Sequence, residues 1–189
     1  MGPSGSVVSG DFELTMDELR AVARFVTRHA EEVLPVFERS VPEDPRPREA
    51  IEAARAFIDG ERRTRRQRVA SLDAHRAARS APTEAARLAA RSAGDAASAA
   101  YLHPLAQAGQ VGHILRAAAS AARVGELGAD GDPDVAEALL ERSRRWAGPV
   151  LRDVLSRYPR ADRGTSRVAR LMSALDESLR QPDAAGPSS

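Results

Sequence analysis

The chain has 189 residues, a length that fits one domain. Hydrophobic residues make up 42% of the chain and aromatic residues only 4%, so the core must come mainly from Ala, Leu and Val, which favours closely packed helices. The absence of cysteine excludes disulfide bonds, thiolate metal sites and cysteine nucleophiles. All 28 basic residues are arginine, a bias that a GC-rich genome explains, and the net charge of +1 provides no overall field for nucleic acid or an anionic membrane.

Neither a membrane span nor a secretion signal is predicted. The sequence contains no run of about 18 apolar residues, and its N-terminal stretch MGPSGSVVSG lacks the charged and apolar regions of a signal peptide. We therefore expect a soluble, cytoplasmic protein with neither a membrane partner nor a nucleic-acid partner.

Both ends of the chain are predicted to be disordered, and the residues between them to form one helical domain. Residues 1–13 and 182–189 are rich in Gly, Ser and Pro and show no periodicity, which leaves 14–181 as the domain. Within it, Thr15 and Glu18 predict a capping box at the start of the first helix. A second helix is expected to begin at Asp44-Pro45 and end at Gly60, and a third to cover residues 61–79.

The longest helical segment is predicted after Pro82 and Thr83. Helix-favouring residues continue to about Leu127, and Pro104 is the expected point of a break or kink. Later helices are expected after Asp132-Pro133, after Pro149 and from Thr165. The predicted fold is all-α, a single compact bundle of about seven or eight helices with a proline-kinked central helix.

One acidic segment has some of the spacing of a calcium-binding loop. In DGDPDVAEALLE, residues 130–141, acidic residues stand at positions 1, 3, 5 and 12 of an EF-hand pattern. Position 6 must be glycine for the sharp turn, but it is Val135, and Asp132 before Pro133 is typical of a helix start. We therefore predict a helix start here and no metal site.

A cluster of arginines begins the third predicted helix: Arg62, Arg63, Arg65, Arg66 and Arg68. Their side chains point around most of the helix, and no aromatic residues are interleaved to stack on bases. We interpret the cluster as a solvated surface, partly paired with Glu49, Glu52 and Asp59, rather than as a nucleic-acid site.

The segment HPLAQAGQVGHIL, residues 103–115, is unusually polar for its alanine-rich surroundings. On a helix, His103, Gln107 and Gln110 fall within about 60° of one another, and His113 lies about 60° beyond Gln110. This stripe predicts either a small polar pocket, in which the histidines bind a ligand or transfer protons, or side chains that satisfy a bend in the helix. His103 and His113 are ten residues apart and do not make a metal-binding pair, so no metal ligand is assigned.

The sequence carries no standard catalytic or cofactor signature. It lacks a G-x-S-x-G elbow, a glycine-rich phosphate loop and an H-E-x-x-H motif, and we predict no cofactor.

Two stretches of the sequence form recognisable motifs. The first is DPRPREAIEAARAF, residues 44–57, and the second is the central segment 94–122, with AYLHPL, Gln110-Val111 and His113-Ile114-Leu115. Together they resemble an all-helical family of immunity proteins that is common in actinobacteria. The resemblance spans roughly residues 14–160. It implies a protein that neutralises a cognate toxin of a polymorphic toxin system by binding it. The resemblance supplies no catalytic residues. The polar residues within the two matched stretches are candidate functional residues: Arg46, Glu49, Glu52, Arg55, His103, Gln110 and His113.

Two functional hypotheses follow. The first, favoured by the resemblance, is a non-catalytic immunity protein whose partner is a cognate toxin. The second is a small-molecule-binding protein or a small helical enzyme for proton transfer, cyclisation or hydrolysis. In the second hypothesis His103 and His113 are the catalytic candidates, and Gln107, Gln110, Glu52 and Arg55 join them as ligand-binding candidates.

Overall fold

The computed structural model describes residues 7–181. These residues contain one two-stranded sheet and eight α-helices, which confirms the predicted all-α bundle of seven or eight helices. The elements are β1 (Val7–Ser9), β2 (Glu13–Thr15), α1 (Met16–Ser40), α2 (Arg46–Ile58), α3 (Arg65–Ser80), α4 (Glu84–Ser98), α5 (Val111–Gly128), α6 (Pro133–Trp146), α7 (Pro149–Ser156) and α8 (Arg167–Arg180). No helix among them combines the length and apolarity that a membrane crossing requires.

Side-chain caps begin several of the helices at positions that the sequence indicates. Thr15 and Glu18 form the predicted capping box of α1, Thr83 caps α4, and the Asp132 carboxylate accepts from the backbone N–H of Asp134 at the start of α6. The start predicted for α3 at residue 61 is wrong. A capping box between Thr64 and Gln67 begins that helix instead at Arg65.

The core lies where α4 packs against α1 and α3 and where α5 packs against α1, α4 and α6. The faces that α4 and α5 turn towards this core consist largely of fully buried alanines, whose small side chains let the helix backbones approach closely. The side of α4 that faces α3, where Gly94 has no side chain, positions the candidate site described below.

The N-terminal segment is ordered further than the sequence predicts. Residues 7–13 were expected to be disordered, but β1 and β2 pair as an antiparallel hairpin from Val7 to Thr15. The strands have three residues each, too short for an alternating pattern to be visible in the sequence. Residues 1–6 and 182–189, also expected to be disordered, lie outside the described residues.

Of the break or kink predicted at Pro104, the structure has the break, so the kinked central helix of the predicted fold is wrong. α4 ends at Ser98, α5 begins at Val111, and residues 102–107 between them are not helical. Proline has no N–H to donate and disfavours helical geometry in the residue before it, so Pro104 acts as a helix break. The hairpin turn stabilises the open segment: the Asp11 N–H donates to Pro104 O at 2.8 Å, and the Asp11 carboxylate accepts from Ala106 N–H at 2.8 Å.

The last helix is joined to the core by a buried carboxylate. Glu126 of α5 is 4% exposed and accepts hydrogen bonds from Arg167 of α8, at 2.7 Å, and from Arg123 one turn earlier on α5, at 2.9 Å. These charge-assisted contacts link α8 to α5.

Candidate functional site

The predicted His/Gln stripe does not exist as a helical face, because His103 and Gln107 lie in the interrupted segment. His103 is exposed; its N–H donates to Gln110 Oε1 at 3.3 Å, and its carbonyl accepts from the Tyr158 hydroxyl at 2.9 Å. Gln107 is exposed as well. The helical spacing on which the stripe was based therefore does not apply to these residues, although their role in ligand binding stays a prediction.

His113, in the first turn of α5, is half-buried. Burial lowers its pKa, the charge of Arg116 lowers it further, and the charge of Asp95 opposes both. Protonation of His103 or His75 lowers the pKa of His113 further, so these histidines occupy one electrostatic neighbourhood.

The candidates on α2 make no polar contact with the histidines among the described residues. Arg55 and Glu52 are exposed, and Arg55 Nε donates to Glu31 of α1 at 2.6 Å. Within residues 7–181, no hydrogen bond or ion pair joins either α2 residue to His103 or His113. Their joint contribution to one ligand site stays a prediction that these contacts do not support.

Sequence reasoning missed a buried polar cluster at the junction of α3, α4 and α5. Asp95 of α4 is 1% exposed, and Arg116 of α5 holds its carboxylate with two hydrogen bonds, from Nε at 2.9 Å and from Nη2 at 2.6 Å. His75 of α3 places Nε2 3.8 Å from the same carboxylate. A buried carboxylate is costly unless it is paired, and the planar guanidinium fork supplies two parallel donors.

Gly94 makes room for His75 in this cluster. A Cβ at position 94 would lie 2.8 Å from Cε1 and Nε2 of the imidazole, closer than side chains tolerate. The ring can therefore lie directly on the backbone of α4. Burial lowers the pKa of His75, Asp95 raises it, and neighbouring arginines lower it further, so the ring is neutral at pH 7.

A groove of about 590 Å³ opens beside the cluster, between α3 and α4. We call it the α3–α4 groove and define it by the residues that line it: Leu72, His75 and Arg79 of α3, Arg87, Leu88 and Arg91 of α4, and Arg116 of α5. Arg79, Arg87 and Arg91 are exposed, and Leu72 is an apolar side chain with 56% of its surface exposed.

The charges at this groove are unbalanced. Glu84, which also lines the groove, is paired with Arg123 at 2.9 Å, and Asp95 is paired with Arg116. Arg87 donates to the carbonyl of Ala81 at 3.4 Å. In the described part of the chain, the guanidinium groups of Arg79 and Arg91 have no hydrogen-bond or ion-pair partner. The groove therefore combines uncompensated positive charge with exposed apolar surface.

The residue spacing on each of the two helices that line this groove is visible in the sequence. Arg87, Arg91 and Asp95 are four residues apart and share one face of α4, as do Leu72, His75 and Arg79 on α3. What the sequence could not show is that these two faces meet.

The arginine cluster at the start of α3 is organised differently from the prediction. No ion pair in residues 7–181 joins it to Glu49, Glu52 or Asp59. Instead, the guanidinium carbons of Arg63 and Arg68 lie 5.6 and 4.6 Å from the ring centre of Tyr101, and Arg63 donates to the carbonyl of Ala100 at 3.3 Å. Ala100 is the residue whose carbonyl Pro104 leaves without its helical partner.

The acidic segment 130–141 forms the helix start that was predicted, with Asp132 as the cap of α6. Within the described residues, no group of three or more His, Asp or Glu side chains is arranged to hold a metal ion.

A comparison with protein families identifies the chain. A family model described as "Imm-5 like putative immunity protein" matches residues 13–146. The chain belongs to this family. The Imm-5 like match covers β2 and α1–α6 and so includes the α3–α4 groove and the buried cluster beside it. It confirms the resemblance that the two sequence motifs indicated. No curated protein and no solved structure matches the chain.

Proposed function

We propose that this chain is a cytoplasmic immunity protein that neutralises a cognate toxin by binding it directly, without catalysis. Membership of the Imm-5 like family supports a protein partner. The observation that carries the proposal is the α3–α4 groove, where Arg79 and Arg91 are unpaired beside the exposed Leu72. Arginine next to apolar surface on rigid helices is typical of protein-binding surfaces. The lack of cysteine is compatible with the cytoplasm as the site of action.

The groove is built on helices rather than on loops, which suits a preformed binding surface. The groove lies on α3 and α4, and the pair between Asp95 and Arg116 joins α4 to α5 behind it. A surface that is already ordered loses little conformational freedom when a partner binds, which favours tight association.

Co-expression tests the proposal. The chain is produced together with each toxin encoded beside it, and growth and co-purification are measured. We expect one toxin to be neutralised and to co-purify with the chain. Failure of every such toxin to be neutralised, or neutralisation without a complex, would contradict the proposal.

The second hypothesis, a small-molecule binder or enzyme, depends on His103 and His113. It is supported by the half-buried position of His113, whose lowered pKa leaves the ring neutral and able to accept a proton, and by its electrostatic coupling to His103. Native mass spectrometry of the purified protein tests for a retained ligand. If His103→Ala and His113→Ala each leave neutralisation and any ligand binding unchanged, this hypothesis is wrong.

A further inference from the structure

We propose that the α3–α4 groove binds an acidic segment of the toxin, with carboxylates on Arg79 and Arg91 and an apolar side chain on Leu72. This inference rests on the proposed function and adds the binding surface and the chemistry of the partner to it.

Charge complementarity supports an acidic occupant. Both carboxylates near the groove are already neutralised by arginines, Glu84 by Arg123 and Asp95 by Arg116. Arg79 and Arg91 then remain as positive charges without counterparts in residues 7–181. Guanidinium groups pair with carboxylates through two parallel hydrogen bonds, so an Asp or Glu side chain satisfies them best.

The arrangement of the groove also favours a polypeptide over a small anion. Arg79 lines the groove from α3 and Arg91 lines it from α4, and Leu72 lies on the same groove. One partner segment can bring two carboxylates and an apolar side chain to these three residues together, whereas a small anion supplies charge alone. Leu72, Ala78 and Leu88 add an apolar lining beside the charges, which suits a leucine or similar residue of the same segment.

The nearby arginine cluster of α3 is a weaker candidate for the same partner. Arg63 and Arg68 are already occupied by the ring of Tyr101. Arg65 and Arg66 are exposed at the other end of the helix and are not among the residues that line the α3–α4 groove. These two arginines therefore provide a matched control for a general effect of charge.

The experiment compares two double variants of equal charge change, Arg79→Glu/Arg91→Glu and Arg65→Glu/Arg66→Glu. Affinity for the neutralised toxin is measured at low and high salt, and circular dichroism confirms folding. We expect the groove variant to lose affinity at least about 30-fold and the control variant to bind within a few-fold of the parent. Raising the salt concentration should weaken toxin binding by the parent protein more than it weakens the residual binding by the groove variant. Arg79→Gln/Arg91→Gln, which introduces no repulsion, should show an intermediate loss and is used if the Glu variant is unfolded.

A synthetic probe makes the test independent of the toxin. The probe is a helical peptide with two glutamates four residues apart and one leucine between them, and its control carries glutamine in place of glutamate. In an NMR titration we expect the acidic peptide to shift the signals of Leu72, Arg79 and Arg91 of the parent, and the glutamine peptide to leave them unchanged.

The outcomes separate this inference from the proposed function. If the toxin is neutralised and bound but the groove variant binds it as the parent does, the inference is overturned and the proposed function stands. If no toxin is bound, the proposed function fails. The peptide titration then tests independently whether the groove binds an acidic segment. An acidic peptide that leaves the three groove signals unchanged overturns the inference, as does an oligonucleotide that displaces it from the groove.

Discussion

Arg116 on α5 holds the buried Asp95 on α4 through two hydrogen bonds, of 2.9 and 2.6 Å. The pair lies against His75 of α3, so three helices meet at one carboxylate. Because Asp95 is 1% exposed, the charge depends on this partner for its stability in the fold. The pair therefore fixes the wall of the α3–α4 groove on the side of α5.

Asp95→Asn should destabilise the protein. The substitution keeps the size of the side chain but leaves Arg116 without its counter-charge. We expect the free energy of unfolding to fall by about 2–3 kcal/mol. This loss is smaller than for a fully buried ion pair, because Arg116 is partly exposed to solvent. Urea denaturation measures the change. Asp73→Asn is the control, since its pair with Arg76 lies at the surface and its removal should cost much less. Equal losses in the two variants would contradict the role assigned to Asp95.

Gly94→Ala should displace the imidazole of His75. The added methyl group would lie 2.8 Å from the ring, which must then move towards water. Since burial is the largest cause of the lowered pKa of His75, we expect that pKa to rise in the variant, as an NMR titration of the ring protons can show. At Gly128 an added Cβ meets no atom within 4 Å, so Gly128→Ala should leave the pKa of His75 unchanged. If the pKa of His75 is unaltered in Gly94→Ala, the buried position of the ring does not depend on this glycine.

His29 should make stability depend on pH. The ring is buried between Phe25 O and Ser143 Oγ, each 2.8 Å away, and Nδ1 must carry the proton because a carbonyl can only accept. Burial lowers the pKa of His29 from 6.5 to about 4. Below pH 6.5 the unfolded chain therefore binds a proton that the folded chain does not bind until about pH 4. The free energy of unfolding should fall as the pH falls through this window, by about 3 kcal/mol in total from this residue.

Urea denaturation at a series of pH values between 7 and about 4 tests this dependence. His29→Gln keeps a donor for Phe25 O but has no proton to gain, so its stability should vary less with pH than that of the parent. The exposed His103→Gln is the matched control and should retain the parent's dependence. If His29→Gln shows the same pH profile as the parent, His29 does not have the lowered pKa.

Glu126→Gln should loosen the last helix. Arg167 is the largest cause of the lowered pKa of Glu126, and loss of the carboxylate charge weakens the contact that ties α8 to α5. We expect amide protons of α8 to exchange with solvent faster, while those in α4 keep their protection. Glu177→Gln, which alters an exposed carboxylate of α8, should change neither set. Unchanged exchange in α8 of the Glu126 variant would show that apolar packing alone holds this helix.

The sequence predicts those parts of the fold that local chemistry determines. Asp132 before Pro133 places the start of α6, and Thr15 with Glu18 places the start of α1, because a cap needs only neighbouring residues. Pro104 is visible as a disruption, but the contact with Asp11 that holds the broken segment joins residues about 90 positions apart in the chain, which local chemistry does not reveal.

The candidate site was harder to predict because it depends on which helical faces meet. His103 and His113 stand out by type, whereas Asp95 and Arg116 look like ordinary surface charges until α4 and α5 are packed together. The spacing of Arg87 and Arg91 marks one face of α4, yet only the packing of α3 beside it creates a groove. A helical periodicity was also assigned to His103 and Gln107, whose backbone is not helical.

A titration of the purified cognate toxin with this protein tests the central claim most directly. Toxin activity and complex formation are followed together as the protein is added. Direct neutralisation predicts that activity falls in proportion to the protein added and reaches its minimum at a fixed stoichiometric ratio, where all toxin is in the complex. If a small fraction of that amount inactivates all the toxin, or if activity persists in the saturated complex, neutralisation by direct binding is contradicted.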